Sequence, residues 1–119
     1  MQWKGICILG ERTEHGALTE AVFFILLSMI TPRHGYAVMQ HIEQLTDGRV
    51  ILGAGTLYGA ITSLLEKQWI CAVDHSKDSR KKEYTVTLLG KQVLQNEVMR
   101  LGELVNIGIN ELGVAKNAN

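Results

Sequence analysis

The segment Gly53-Ala54-Gly55-Thr56-Leu57-Tyr58-Gly59-Ala60-Ile61 limits most sharply what this chain can become. It reads as a helix, because Leu57, Ile61, Leu64 and Leu65 recur at i, i+4, i+7 and i+8 and form an inward stripe. The other positions hold Gly55, Thr56, Gly59, Ala60, Thr62 and Ser63. That face is almost bare, so the helix backbone is able to approach a flat or grooved partner closely. A glycine inside a helix costs roughly 1 kcal/mol relative to alanine, so Gly59 points to a requirement other than stability. A short strand, a basic turn and a second strand follow. Helix, strand, charged turn and strand in that order suggest a winged helix-turn-helix, a device for reading DNA.

The elements before it suit the same arrangement. A first helix is expected from about Thr19 to Ile30, with Thr19 as N-cap, Glu20 in the first turn, and Leu18 and Phe23 as a hydrophobic staple. Nearly every residue from Val22 to Leu27 is apolar, so more than one side should be covered, with a subunit partner on the second side. Pro32 stops this helix, and Thr31 to His34 read as a turn. A second helix follows over about Gly35 to Leu45, with Val38, Ile42 and Leu45 inward, and Asp47-Gly48 end it. The third helix spans about Ala54 to Lys67.

Trp69 to Val73 and Glu83 to Thr87 read as the strands of a hairpin, with His75 to Lys82 as its polar tip. A last helix runs from about Leu89 to Leu112. Leu94, Val98, Leu101, Val105, Gly108 and Leu112 alternate four and three apart, which is a heptad-like seam. Gly102 and Gly108 weaken that helix but permit close helix–helix contact. Nothing later in the sequence covers the seam, so it is expected to pair with a second copy, Phe23 of the first helix contributing. The expected organisation is an N-terminal arm over residues 1–17, a winged helix-turn-helix over 18–88, and a dimerisation helix with a fraying tail over 89–119. The fold class is mainly α with a small β-hairpin.

Composition bounds the alternatives. With 119 residues, 46% hydrophobic and 20% charged, the chain is one domain able to build a core without metal or disulfide. The net charge is zero, which counts mildly against a nucleic-acid binder. Between Thr31 and Lys91, however, eight basic residues face six acidic ones, so a local basic edge is available. Cys7 and Cys71 have no CxxC partner and read as small reduced hydrophobes. With no signal peptide evident, the cytoplasm is the expected compartment. The apolar run from Ala21 to Ile30 is too short to span a membrane. His15, His34, His41 and His75 lack metal-ligand spacing, so no metal or cofactor is expected. No nucleophile motif, carboxylate pair or phosphate loop stands out, so catalysis is not expected.

Four motifs in order carry a resemblance. These are His34-Gly35-Tyr36 opening helix two, Gly55-Thr56-Leu57-Tyr58 opening helix three, Leu64 to Ile70 running into the hairpin, and Arg80-Lys81-Lys82-Glu83-Tyr84-Thr85-Val86-Thr87-Leu88-Leu89-Gly90 leading into the last helix. The chain resembles the PadR family of bacterial transcriptional regulators over about Leu18 to Leu112. The resemblance implies a homodimer with a winged helix-turn-helix at each end, binding double-stranded DNA at a pseudo-palindromic operator, acting as a repressor and released by a small-molecule effector. Two departures stand out. Ala54 occupies a position where the family often has proline, and the last helix carries no aromatic residue to stack on a planar effector.

The candidate DNA contacts are Gly55, Thr56 and Tyr58 at the start of helix three, where a recognition helix presents its first residues to the major groove. Thr56 otherwise reads as a cap and Tyr58 as a packing residue. Lys77, Arg80, Lys81 and Lys82 at the hairpin tip would neutralise phosphates, and otherwise form a solvated turn. Tyr36 either touches a phosphate or packs on helix three. Trp3, Phe23 and Phe24 either line an effector pocket or belong to the core. A winged helix serving only as a protein-interaction module is the alternative function, favoured by the neutral net charge.

Overall fold

The computed structural model describes residues 16–73 and 82–113. In chain order they form α1 (Glu20–Ser28), β1 (Arg33–His34), α2 (Gly35–Leu45), α3 (Ala54–Glu66), β2 (Ile70–Val73), β3 (Glu83–Val86) and α4 (Leu88–Leu112). The three strands make one antiparallel sheet in the order β1-β3-β2. Ile70 pairs with Val86 and Val73 with Glu83 on one side of β3, and Arg33 pairs with Tyr84 on the other. A mainly helical winged-helix fold results.

Local chemistry explains the boundaries. The Thr19 hydroxyl accepts from the Val22 N–H and starts α1, and Leu18 and Phe23 are both partly buried against the core. Helix α1 ends two residues sooner than the pattern suggests. The Arg33 guanidinium donates to the Ser28 carbonyl at 2.6 Å, and the Met29 carbonyl accepts from both the Val86 N–H and the Thr85 hydroxyl. These partners satisfy the orphan carbonyls of the last turn and replace further helix. They also correct the reading of Thr31 to His34 as a plain turn, because Arg33 and His34 are drawn into the sheet as β1.

Helix α2 reverses through two successive left-handed residues, Asp47 at φ 55° and Gly48 at φ 82°. Thr46 braces that reversal, donating to the Ile42 carbonyl and accepting from the Val50 N–H. The core gathers Ile25, Leu26 and Met29 from α1, Val38 and Ile42 from α2, Leu57, Ile61 and Leu64 from α3, Trp69 and Ile70 beside the wing, and Val93 and Leu94 from α4. Leu45 and Leu65 depart from their expected inward places. They are 51% and 37% exposed, each outside the buried set of its helix.

Helix α4 is bolted to the wing at its root. The Thr87 hydroxyl caps it by accepting from the Gly90 N–H and donates in turn to the Gln68 carbonyl at 2.7 Å, while the Thr87 N–H donates to the Trp69 carbonyl. Gly90 is required here, because a Cβ would collide with the Trp69 carbonyl. Gln68 itself sits at φ 63°, a left-handed conformation that turns the chain from α3 into β2.

Candidate nucleic-acid interface

Helix α3 presents two chemically opposite faces. Leu57, Ile61 and Leu64 are buried, whereas Ala54, Gly55, Thr56, Tyr58, Gly59, Thr62 and Ser63 are exposed. Its N-cap is Gly53, which offers no side chain to the first-turn N–H groups. The first turn therefore keeps its donors and the positive end of the helix dipole open to an anion. Thr56 is not the cap of this helix. It stands in the first turn, exposed, beside a Gly55 around which a Cβ would meet nothing within 4 Å. The same openness surrounds Gly59, so the bare face is open surface rather than a packing seam within the chain.

Tyr58 is half exposed and also serves packing. Its ring and hydroxyl lie against Gly35 so closely that a Cβ there would overlap them. Tyr84 in β3 is held above the ordinary phenol pKa first by burial and then by the neighbouring Tyr58. Tyr58 thus joins α3 to the start of α2. Tyr36, one residue on from Gly35, is 60% exposed.

Of the expected wing cations, one lies among the described residues. Lys82 is exposed at the start of β3. Lys77, Arg80 and Lys81 lie outside the described residues, as do Trp3, Cys7, His15 and His75. Lys67, at the end of α3, lies 5.5 Å from the centre of the Trp69 ring. His41 on α2 is held below the usual imidazole pKa by burial and then by the Arg33 charge. Cys71 is a free thiol, as expected, and is exposed. Among the described residues no group of three metal-ligating side chains comes together, and no helix is long and apolar enough to cross a membrane.

The expected dimer residues divide into two sets. Leu94 is buried in the chain's own core, and Phe23 is partly buried, its ring edge-on to Phe24 at 5.8 Å. Val98, Leu101, Val105 and Leu112 are exposed along α4. Between the end of α1 and the first half of α4 lies an open groove of about 650 Å³, apolar at Leu27, Ile30, Val98 and Met99 and amide-lined at Gln92, Gln95 and Asn96.

A sequence model of the transcriptional regulator PadR-like family matches residues 25–96, from the core of α1 through the wing to the middle of α4. The chain belongs to the PadR-like family. The same fold recurs in a transcriptional regulator from Clostridium thermocellum, at a TM-score of 0.64 and 22% identity over 77% of this chain and 90% of that one. A PadR family regulator from Eggerthella lenta matches at 0.60 and 23%, covering 95% and 94%. One from Clostridium difficile matches at 0.58 and 20%, covering 76% and 96%. An uncharacterised 37.1 kDa protein of a Streptomyces fradiae transposon is 34% identical over 73 residues. That stretch is 61% of this chain and only 20% of the transposon protein.

Sequence reasoning missed one conspicuous polar residue. Glu97 on α4 is only 5% exposed, and its carboxylate accepts from the Leu18 N–H and from Arg100. The spacing of Glu97 and Arg100, three apart on one helix, was the available signal.

Proposed function

We propose that this PadR-like regulator is a sequence-specific DNA-binding repressor that acts as a homodimer on an inverted-repeat operator. The observation that carries the reading is the two-faced α3. Its apolar stripe locks it into the core while its uncapped N-terminus and the small residues Gly55, Thr56 and Gly59 face outward beside the wing. Thr56 would contact a base or phosphate, with Gly55 allowing the backbone to come close. Tyr58 and Tyr36 would reach the flanking phosphates through their hydroxyls. Lys77, Arg80, Lys81 and Lys82 would neutralise phosphates from the wing, which makes affinity fall with salt.

The homodimer is supported by the exposed side chains of Val98, Leu101, Val105 and Leu112, which no element of the same chain covers among the described residues. Pairing these helices would also close the groove beside Leu27 and Val98, leaving a partly apolar, amide-lined chamber suited to a small effector.

Selection of bound fragments from random duplex DNA by the purified protein tests the reading. An enriched inverted repeat is the expected result, and Lys81→Ala with Lys82→Ala should flatten the dependence of its binding on salt. No enrichment at low salt would overturn DNA reading and favour a protein-interaction module.

A further inference from the structure

Besides Val93 and Leu94 in the core, two polar anchors hold helix α4 to the rest of the chain. The lower is the Thr87–Gly90 root against Gln68 and Trp69. The upper is Glu97. Its buried carboxylate takes the Leu18 N–H at 3.2 Å on Oε2, and the Arg100 guanidinium in a forked pair at 2.9 and 2.7 Å. Glu97 is the last buried residue of α4. From Val98 to Leu112 the helix continues for fifteen residues with none of its side chains fully buried. At 1.5 Å per residue this free portion is about 22 Å long. It is also the portion whose apolar seam would hold the second copy.

We infer that the Leu18–Glu97–Arg100 clamp sets the direction in which α4 leaves the winged helix, and with it the operator half-site spacing the dimer accepts. Glu97 and Arg100 are positioning residues: they lie on α4, outside α2, α3 and the wing. The lever is long enough to matter. A tilt of roughly 10° at Glu97 moves the far end by about 4 Å, a little more than the roughly 3.4 Å rise of one base pair. An ionised carboxylate suits this task because it accepts from the Leu18 backbone and from both guanidinium nitrogens at once. A glutamine of the same shape accepts through one oxygen only and turns an amide N–H₂ toward a cation or another donor.

This inference rests on the DNA-binding homodimer proposed above, and the experiment separates the two. Full-length wild type, Glu97→Gln and Arg100→Gln are measured on synthetic duplexes carrying the selected inverted repeat. The centre of the repeat is lengthened or shortened one base pair at a time, and a single half-site serves as control. Wild type is expected to favour one spacing. Both variants should keep half-site affinity and lose about tenfold in discrimination between the best spacing and its neighbours, the scale of one charge-assisted hydrogen bond. If Glu97→Gln does not fold, the more exposed Arg100→Gln decides. An unchanged spacing profile in the folded variants, or a wild type indifferent to spacing, overturns the inference and leaves the DNA-binding reading standing. Equal loss of half-site binding means a merely structural role and overturns it too. A wild type that selects no inverted repeat removes the reading beneath it.

Discussion

The winged-helix body and the outer half of α4 contain similar apolar side chains and place them oppositely. In the body, Ile25, Leu26, Met29, Val38, Ile42 and Leu57 have no measurable exposure. Along α4 past Glu97, Leu104 and Ile107 are half exposed and Leu112 is 78% exposed. The body buries its own surface, and each of its helices is terminated by named partners. Among the described residues the Arg100–Glu97 pair ties the outer α4 back at its base and none of its apolar side chains is fully buried, and an isolated helix of that length is marginal in water. The body holds its core within one chain, whereas in the homodimer proposed above the outer α4 would gain its stability from a covered seam.

The largest effect should come from charging that seam. Leu101→Glu with Val105→Glu puts like charges face to face across a two-fold interface, at a cost of several kcal/mol in association. Sedimentation should show a monomer whose body still unfolds cooperatively. A variant that stays dimeric would break the contrast by placing the interface elsewhere.

The converse substitution probes the body. Leu57→Ala removes a fully buried side chain from the centre of the core. It should cost about 2–5 kcal/mol of unfolding free energy, measured by denaturant titration. Leu112→Ala should leave the stability of the monomer nearly unchanged. Equal losses in the two variants would mean that the regions fold as one unit.

Two glycines on the same helix sharpen the comparison further. Gly90→Ala places a methyl group on the Trp69 carbonyl, and strain there should cost about 1–3 kcal/mol. At Gly102 a Cβ meets nothing within 4 Å in the single chain. Gly102→Ala should therefore gain up to about 1 kcal/mol in helix propensity. A loss instead, seen in thermal melts that depend on protein concentration, would mark Gly102 as a close-approach point between subunits.

Local signals made much of this fold legible. Thr19 and Glu20 signal the start of α1, helix α2 lies where its periodicity predicts, and the small residues of α3 form an exposed face as their pattern implies. Elements that depend on remote partners were not legible. Strand β1 is two residues long and has no pattern of its own, so only its pairing with Tyr84 and Glu83 creates it. Leu45 and Leu65 fit their helical stripes but sit where the core ends. Glu97 carries no signal of burial in its own segment, and one of its partners is the backbone of Leu18, 79 residues away in sequence. At the interface, Thr56 as an exposed first-turn residue followed from position alone. The close contact of Tyr58 with Gly35 needed the packing of α2 on α3.

The smallest expected effect lies on the body's surface, at the pair between Glu20 in the first turn of α1 and Arg49 in the loop after α2. The carboxylate lies 2.5 Å from the guanidinium, and both side chains are more than half exposed. Hydrogen bonding to Arg49 holds the Glu20 carboxyl below its ordinary value of 4.5, with the Arg49 charge adding to the effect and slight burial opposing it. The folded chain thus binds this proton less readily than the unfolded chain does. The pair's contribution is complete above about pH 4.5, where Glu20 is ionised in both states, and is lost as the pH falls through the lower folded value. Denaturant titrations of wild type and Glu20→Gln should differ by a constant amount at neutral pH and converge in acid. In an Arg49→Gln background most of that difference should disappear, because the partner that lowers the pKa is gone. High salt should shrink it as well, as expected for an exposed pair. The difference should not change with protein concentration, because Glu20 and Arg49 belong to one chain. A dependence on dilution would show that the body, too, is completed by its partner.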